Sequence, residues 1–446
     1  MIKYLSFLIF YSVTGAYAQS KPATKYALFQ ASTTHSGVYP QSNYSSFGNL
    51  KWKFKSNGKI YSSPTAINGV IYIGSEDYYL YAIDKETGRS LWKFKTGGAV
   101  DSSPAVYENV AYFGSFDGYY YAVNAKTGRL IWKFKTGGEK LVGNKGLWGM
   151  TPSNLYMEDQ YDFYLSSPVL DLNDHHLTIY FGSSDGNLYA LNAHTGKKKW
   201  TFKTNGIIHT SPALYNGMVC FGSWDTYLYA LDAASGKLKW KFKTAEQPVY
   251  HQLEGIQSSP TCVNGSVYFG CRDGHFYSLN ANTGKLLWKV DTGGSWVLTT
   301  AAVKDGILYV TTSDTYLFLA LDAKTGTEKF RFKANGYLYS SAAVSGNTAY
   351  FGDFSGKLFA INLTTGKSSG TFSTEGRIEN SKGLLNKDTL DFIYLVRSKD
   401  TAAYATSVAI MNQLYKLGPI VSSPAISSGV IYFGSTDGYL YALNLR

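Results

Sequence analysis

The segment "SSPTAINGVIYIGSEDYYLYAIDKETGRSLWKFKTGG" starts at Ser62, and "SSPAVYENVAYFGSFDGYYYAVNAKTGRLIWKFKTGG" follows from Ser102. A chain that repeats itself at this spacing builds one supersecondary unit many times and buries its core between neighbouring copies. Each unit divides into four short alternating strands, A to D, separated by turn signals such as Asn68-Gly69, Asp77 and Thr87-Gly88. The strand A anchors are Pro64, Pro104, Pro168, Pro212, Pro260, Ala301, Ala342 and Pro424, which gives a basic period near 41. Four strands per period is the signature of a β-propeller.

The ends of the chain predict how the ring closes. The last unit stops after strand C at "YLYALNLR", and a spare strand D, "NLKWKFK" (49–55), stands near the N-terminus. Pairing the two completes the last blade and removes its exposed edge. Eight units are clear. Residues 377–420 read as a helical insertion or as a degenerate ninth blade. The alanines of 401–409, a possible Thr401 cap and the Gly418-Pro419 stop favour eight blades and a helix. The expected organisation is an export signal over 1–18, a lead-in over 19–48 and one propeller domain over 49–446.

The signal reading rests on Lys3, a short apolar core and Ala16-Tyr17-Ala18. No cysteine follows that core, so a lipid anchor is not expected, and no later stretch is apolar enough for a membrane helix. Localisation is therefore expected to be periplasmic or extracellular. The net charge of +11 raises the question of nucleic acid, but the lysines alternate with aromatics in "WKFK" segments at 92, 132 and 240. Alternate strand residues face opposite sides, so these lysines decorate outer strands and no nucleic-acid partner is expected. Cys220, Cys262 and Cys271 are expected to be small buried side chains.

Positions that differ between repeats are free of the scaffold. The three long departures, 137–163, 244–256 and 375–420, are all connections from strand D to the next strand A, so they share one face. Six of the nine tryptophans lie in the strand D motif; Trp148, Trp224 and Trp296 fall on the loop-rich face. With Asp101, His209, His251, Gln257 and Arg272 they form the candidate ligand site, expected off-centre towards blades 3–5. Aromatic walls suit a flat ring or sugar, and Arg272 suits an acidic group. An Asp and a His near the axis could also serve as acid and base. The repeated turn aspartates, such as Asp77 and Asp117, read as turn caps rather than metal ligands.

The pattern "YFGSxDGxLYALxxxTGKxxWxF" resembles the repeat of the pyrroloquinoline-quinone-type propellers, over 49–374 and 419–444. That superfamily includes quinoprotein alcohol dehydrogenases and the outer-membrane assembly protein BamB. "HSGVYP" (35–40) looks like the lead-in of secreted bacterial members, and "KGLWGM", "HQLEGIQSSP" and "FGCRDG" look like a subgroup of them. The dehydrogenase resemblance implies bound quinone, Ca²⁺, a catalytic Asp and adjacent cysteines; no adjacent cysteine pair is present. The leading expectation is an exported monomeric scaffold that binds a partner protein or small ligand without a cofactor, with an outer-membrane-associated assembly as one setting. A quinone- and Ca²⁺-dependent dehydrogenase is the alternative, and a hydrolase or lyase working at the channel mouth is the third.

Overall fold

The computed structural model describes residues 25–40, 43–173, 177–245, 255–391, 395 and 402–446. The signal segment and His251 lie outside the described residues. Eight four-stranded antiparallel sheets follow one another around an axis. Blade 1 is typical, with strands Thr65–Ile67, Val70–Ser75, Tyr79–Asp84 and Ser90–Lys95. Strands B and C are buried on both faces, and strand D alternates. The ring closes as the chain ends predict: Phe47–Lys55 pairs antiparallel with Tyr439–Leu445, with Trp52 opposite Ala442. Tyr26–Ala27 adds a fifth, inner strand to blade 2.

A ring-and-glycine lock joins the blades. The Trp92 Nε1–H donates to Ala125 O at 3.0 Å, and the same bond runs from Trp132 to Ala193 at 2.8 Å and from Trp240 to Ala281 at 2.8 Å. Each indole lies on the Thr-Gly turn of the next blade; a Cβ on Gly128 would meet Trp92 at 2.7 Å. Only a glycine admits that approach at a positive φ. The turn aspartates are caps, as their repetition implies. Asp117 accepts from the Tyr119 N–H, from the Tyr121 hydroxyl and from Gly97 N–H of the preceding connection.

The described residues of 377–420 form no blade. Helix α1 (Glu375–Asn380) leads into them, and they hold helix α2 (Tyr404–Leu414), followed by a tight turn, Tyr415–Leu417, that Gly418 ends at φ 65°. Ala403 stands in the cap position of α2 with extended backbone, and the expected Thr401 cap lies outside the described residues.

The lead-in plugs the axis. Its carbonyls Thr33 O, Thr34 O, Ser36 O and Gly37 O accept from Leu214, Cys262, Val303 and Val344 N–H on the inner strands of blades 4 to 7. His35 is buried there, beside Pro260 O at 3.0 Å, and burial lowers its pKa to about 4. The three cysteines are buried and unbridged.

Candidate functional site

The 137–163 connection forms a lid over the loop-rich face. A two-stranded hairpin, Gly143–Lys145 with Tyr156–Glu158, carries it outward. Thr151 N–H donates to Ala402 O at 2.6 Å, and the Tyr404 hydroxyl donates to Glu158 O at 2.9 Å, tying the lid to α2. The returning chain, 159–165, drops into the channel mouth. Phe163 there packs against Tyr61, Tyr339 and Phe354 at ring separations of 5.3, 5.2 and 5.9 Å.

The off-motif tryptophans do meet. Arg272, from the B–C turn of blade 5, lies between Trp224 and Trp296, its guanidinium 4.6 and 4.2 Å from their ring centres. Trp148 stands 5.9 Å from Trp296 and 6.2 Å from Tyr161. The Arg272 side chain is 1 % exposed and pairs with Asp159 of the lid at 2.6 Å. Gln257 Oε1 accepts from Arg272 Nε and Nη2 at 3.0 and 2.7 Å, and Gln257 Nε2 donates to Tyr161 O at 3.2 Å. The lid therefore occupies the space that an acidic ligand would take beside Arg272.

His209 sits one blade away. Its Nδ1 is 2.9 Å from Asp162 Oδ1 of the lid, and its Nε2 is 2.8 Å from Ser184 Oγ. The order Ser–His–Asp matches a hydrolytic triad on paper, but the proton inventory differs. Ser184 Oγ donates to Lys140 O at 3.0 Å, so it accepts from the imidazole. A ring that donates at both nitrogens is an imidazolium. Burial alone would lower the His209 pKa, yet the Asp162 charge and hydrogen bond outweigh it and raise the value. A cationic histidine is no general base, so this arrangement docks the lid.

Asp101 lines the axial cavity with His209, Gln257 and the lead-in's Phe29. Around that cavity runs a ring of hydroxyls, one from the start of strand A in each blade: Ser in seven blades, from Ser63 to Ser423, and Thr300 in blade 6. Ser63 N–H donates to Ser103 Oγ at 2.9 Å, Ser103 N–H to Ser167 Oγ at 2.9 Å, and Ser423 N–H returns to Ser63 Oγ at 2.9 Å. Sequence reasoning saw these serines only as strand starts. It also missed Asp159, Asp162 and Ser184. Two acids three residues apart in a connection without a repeat counterpart were the available signal.

The axial cavity measures about 30 Å³, whereas cofactor-sized pockets run to roughly 300–1,000 Å³. The mouth above it is filled by Tyr161, Phe163 and Tyr164. The residues present therefore do not fit a tricyclic quinone, and no cluster of three metal-ligating His, Cys, Asp or Glu side chains occurs among the described residues. An open concavity lies elsewhere on this face: a polar groove of about 370 Å³ between α1, the end of α2 and blade 8, lined by Lys55, Glu379, Asn412 and Lys416.

The model of the family described as outer membrane protein assembly factor BamB matches residues 44–165, 145–275 and 225–446. The chain belongs to this family of PQQ-type β-propellers. No curated protein matches it by sequence. BamB from Moraxella catarrhalis is 14% identical with a TM-score of 0.61, over 89% of this chain and 98% of that one. A europium-containing methanol dehydrogenase is 12% identical with a TM-score of 0.68, over 95% and 98%. The quinohemoprotein alcohol dehydrogenase from Comamonas testosteroni is 13% identical with a TM-score of 0.65, over 94% and 80%. At such identities the likeness is one of fold.

Proposed function

We propose that this chain is an exported, non-catalytic propeller scaffold that engages a partner protein through its loop-rich face. The observation that carries the reading is the sealed channel mouth. Arg272, Gln257 and His209 are all spent on contacts with the chain's own lid. What that face offers to solvent is a partner surface: Leu155 and Tyr156 at the lid hairpin are 45% and 48% exposed, and Ile378 on α1 is 66% exposed, beside the polar groove. Exposed apolar side chains rimmed by charge suit protein association. The family's description as an outer-membrane assembly factor supports an assembly partner. Among the described residues no helix is long and apolar enough to cross a membrane.

Photo-crosslinking from Tyr156 and Ile378 in envelopes of the source cell tests this, with Asn216 on the opposite face as control. A discrete adduct from the first two positions and none from Asn216 is expected. Equal labelling from both faces defeats the reading, as does stoichiometric uptake of pyrroloquinoline quinone with Ca²⁺ and dye-linked alcohol oxidation.

A further inference from the structure

Two of the buried acids near the axis are paired: Asp159 has Arg272 at 2.6 Å and Asp162 has His209 at 2.9 Å. At the rim, Glu76 and Lys59 form a partly exposed pair at 3.1 Å. Lys59 also lies over the Tyr415 ring at 4.3 Å. Asp101 is only 8 % exposed, lines the axial cavity, and its Oδ1 has no hydrogen-bond partner. An ionised carboxylate in such a place costs several kcal/mol unless something neutralises it. Burial, with Glu76 next, pushes the Asp101 pKa well above the usual carboxylate range.

The rest of the cavity wall sets eight serine and threonine hydroxyls beside apolar side chains such as Phe29, Leu165 and Leu298. Each axial hydroxyl from Ser63 to Ser423 with an inter-blade bond accepts one N–H from its neighbour, as Ser63, Ser103 and Ser167 do for Ser423, Ser63 and Ser103. A hydroxyl has two acceptor lone pairs, so one remains for the axis. Hard cations choose such neutral oxygens together with carboxylate. A cavity of about 30 Å³ admits one or two water-sized particles, since each needs roughly 10–15 Å³ by this measure. We propose that the axial cavity is a binding site for one monovalent metal cation of the sodium or potassium class, held by the Asp101 carboxylate and the hydroxyl ring. Charge selects the monovalent ion. One unpaired carboxylate and one such ion leave the site neutral, whereas a divalent ion leaves an uncompensated buried positive charge. The site lies inside the ring, so its ion is expected whether or not a partner docks on the lid.

The test compares the full mature chain, dialysed at matched ionic strength into potassium, sodium, calcium or choline chloride; choline is too large for the cavity. The melting midpoint is expected to rise with potassium or sodium concentration, as for any ligand of the native state alone. Choline and calcium should leave it unmoved, and Asp101→Asn should abolish the response. Crystals grown in rubidium or thallium(I) should show one anomalous peak on the axis, in direct contact with the Asp101 carboxylate. The wild-type peak decides the matter even if Asp101→Asn folds poorly. A cation-indifferent melt without a peak overturns the proposal in favour of a protonated acid bonded to water. A calcium peak in that position overturns the choice of a monovalent ion.

Discussion

At the scale of single residues, the repeat separates scaffold from site by what each side chain touches. Trp132 is 9 % exposed, bonded to Ala193 O and stacked on the Gly196 turn. Trp132→Ala should therefore cost about 3–5 kcal/mol. Lys133, next to it, faces water over the Tyr119 ring at 4.5 Å, and Lys133→Ala should change stability little. Equal losses in chemical denaturation would contradict the assignment of faces. His209 gives a pH prediction. Its folded pKa is raised above the ordinary 6.5 despite burial, through Asp162. Such a group stabilises fully below the unfolded value, and the contribution is lost as pH rises through the folded value. Melting midpoints of the wild type should fall relative to His209→Gln as pH climbs from about 6.5 into the alkaline range. Parallel profiles for the two proteins would show that the imidazole is not the charged partner of Asp162. Trp132 and Lys133 were legible because eight copies vote on each position. His209 was visible only as a departure from its repeats, and its partner Asp162 lies in a segment with no copy to compare.

At the scale of elements, the lid and helix α2 are where the repeat stops informing. The face they share was readable, because strand order places every D–A connection on one side. Their packing was not, because it depends on contacts between residues more than a hundred positions apart, such as the Asp159–Arg272 ion pair and the backbone bond from Thr151 to Ala402. The Asp159–Arg272 pair holds the lid to blade 5 with side chains 0 % and 1 % exposed. Removing one partner strands the other charge. Asp159→Ala should cost about 3–5 kcal/mol, and Asp159→Ala combined with Arg272→Met should recover much of it. Urea unfolding of the single and double variants measures both. A double variant no more stable than the single one would mean that the lid is held by its aromatic residues, Tyr161 and Phe163, rather than by the ion pair.

At the scale of the whole molecule, the ring has one seam, and the lock is inverted there. In blade 7, Gly370 stands opposite Ala360, the place that Trp92 holds opposite Ala82 in blade 1. The neighbouring blade 8 has no Thr-Gly turn, because its outer strand is Phe47–Lys55 from the other end of the ring; the lead-in fills the gap instead. Ser46 Oγ donates to Ser369 O at 2.8 Å, and a Cβ on Gly370 would lie 2.3 Å from Ser46 Oγ. Phe47 packs on Tyr350 at 5.7 Å where the missing indole would otherwise sit. The seam therefore predicts a change of sign. In the native chain Gly370→Trp forces Ser46 and Phe47 aside, loosens the closing strand and should destabilise the protein. A circular permutant can join Asn444 to Asn49 through Ala-Lys-Thr-Gly, the turn that links Asn124 to Arg129 in blade 2. Asn444 Nδ2 already donates to Asn49 Oδ1 at 2.9 Å, so the join spans a gap that the other blades close with four residues ending in Gly. That permutant loses Ser46 and Phe47 and acquires the missing Thr-Gly turn, which leaves a hole beside Gly370. In it Gly370→Trp should raise the melting midpoint, because the indole then finds the glycine surface that every other lock provides. Simple deletion of residues 47–55 should instead leave the edge of Tyr439–Leu445 unpaired and cause aggregation. Light scattering and thermal melts of the four proteins decide it: a soluble, cooperative deletion variant, or the same sign for Gly370→Trp in both chain orders, would refute closure through this seam.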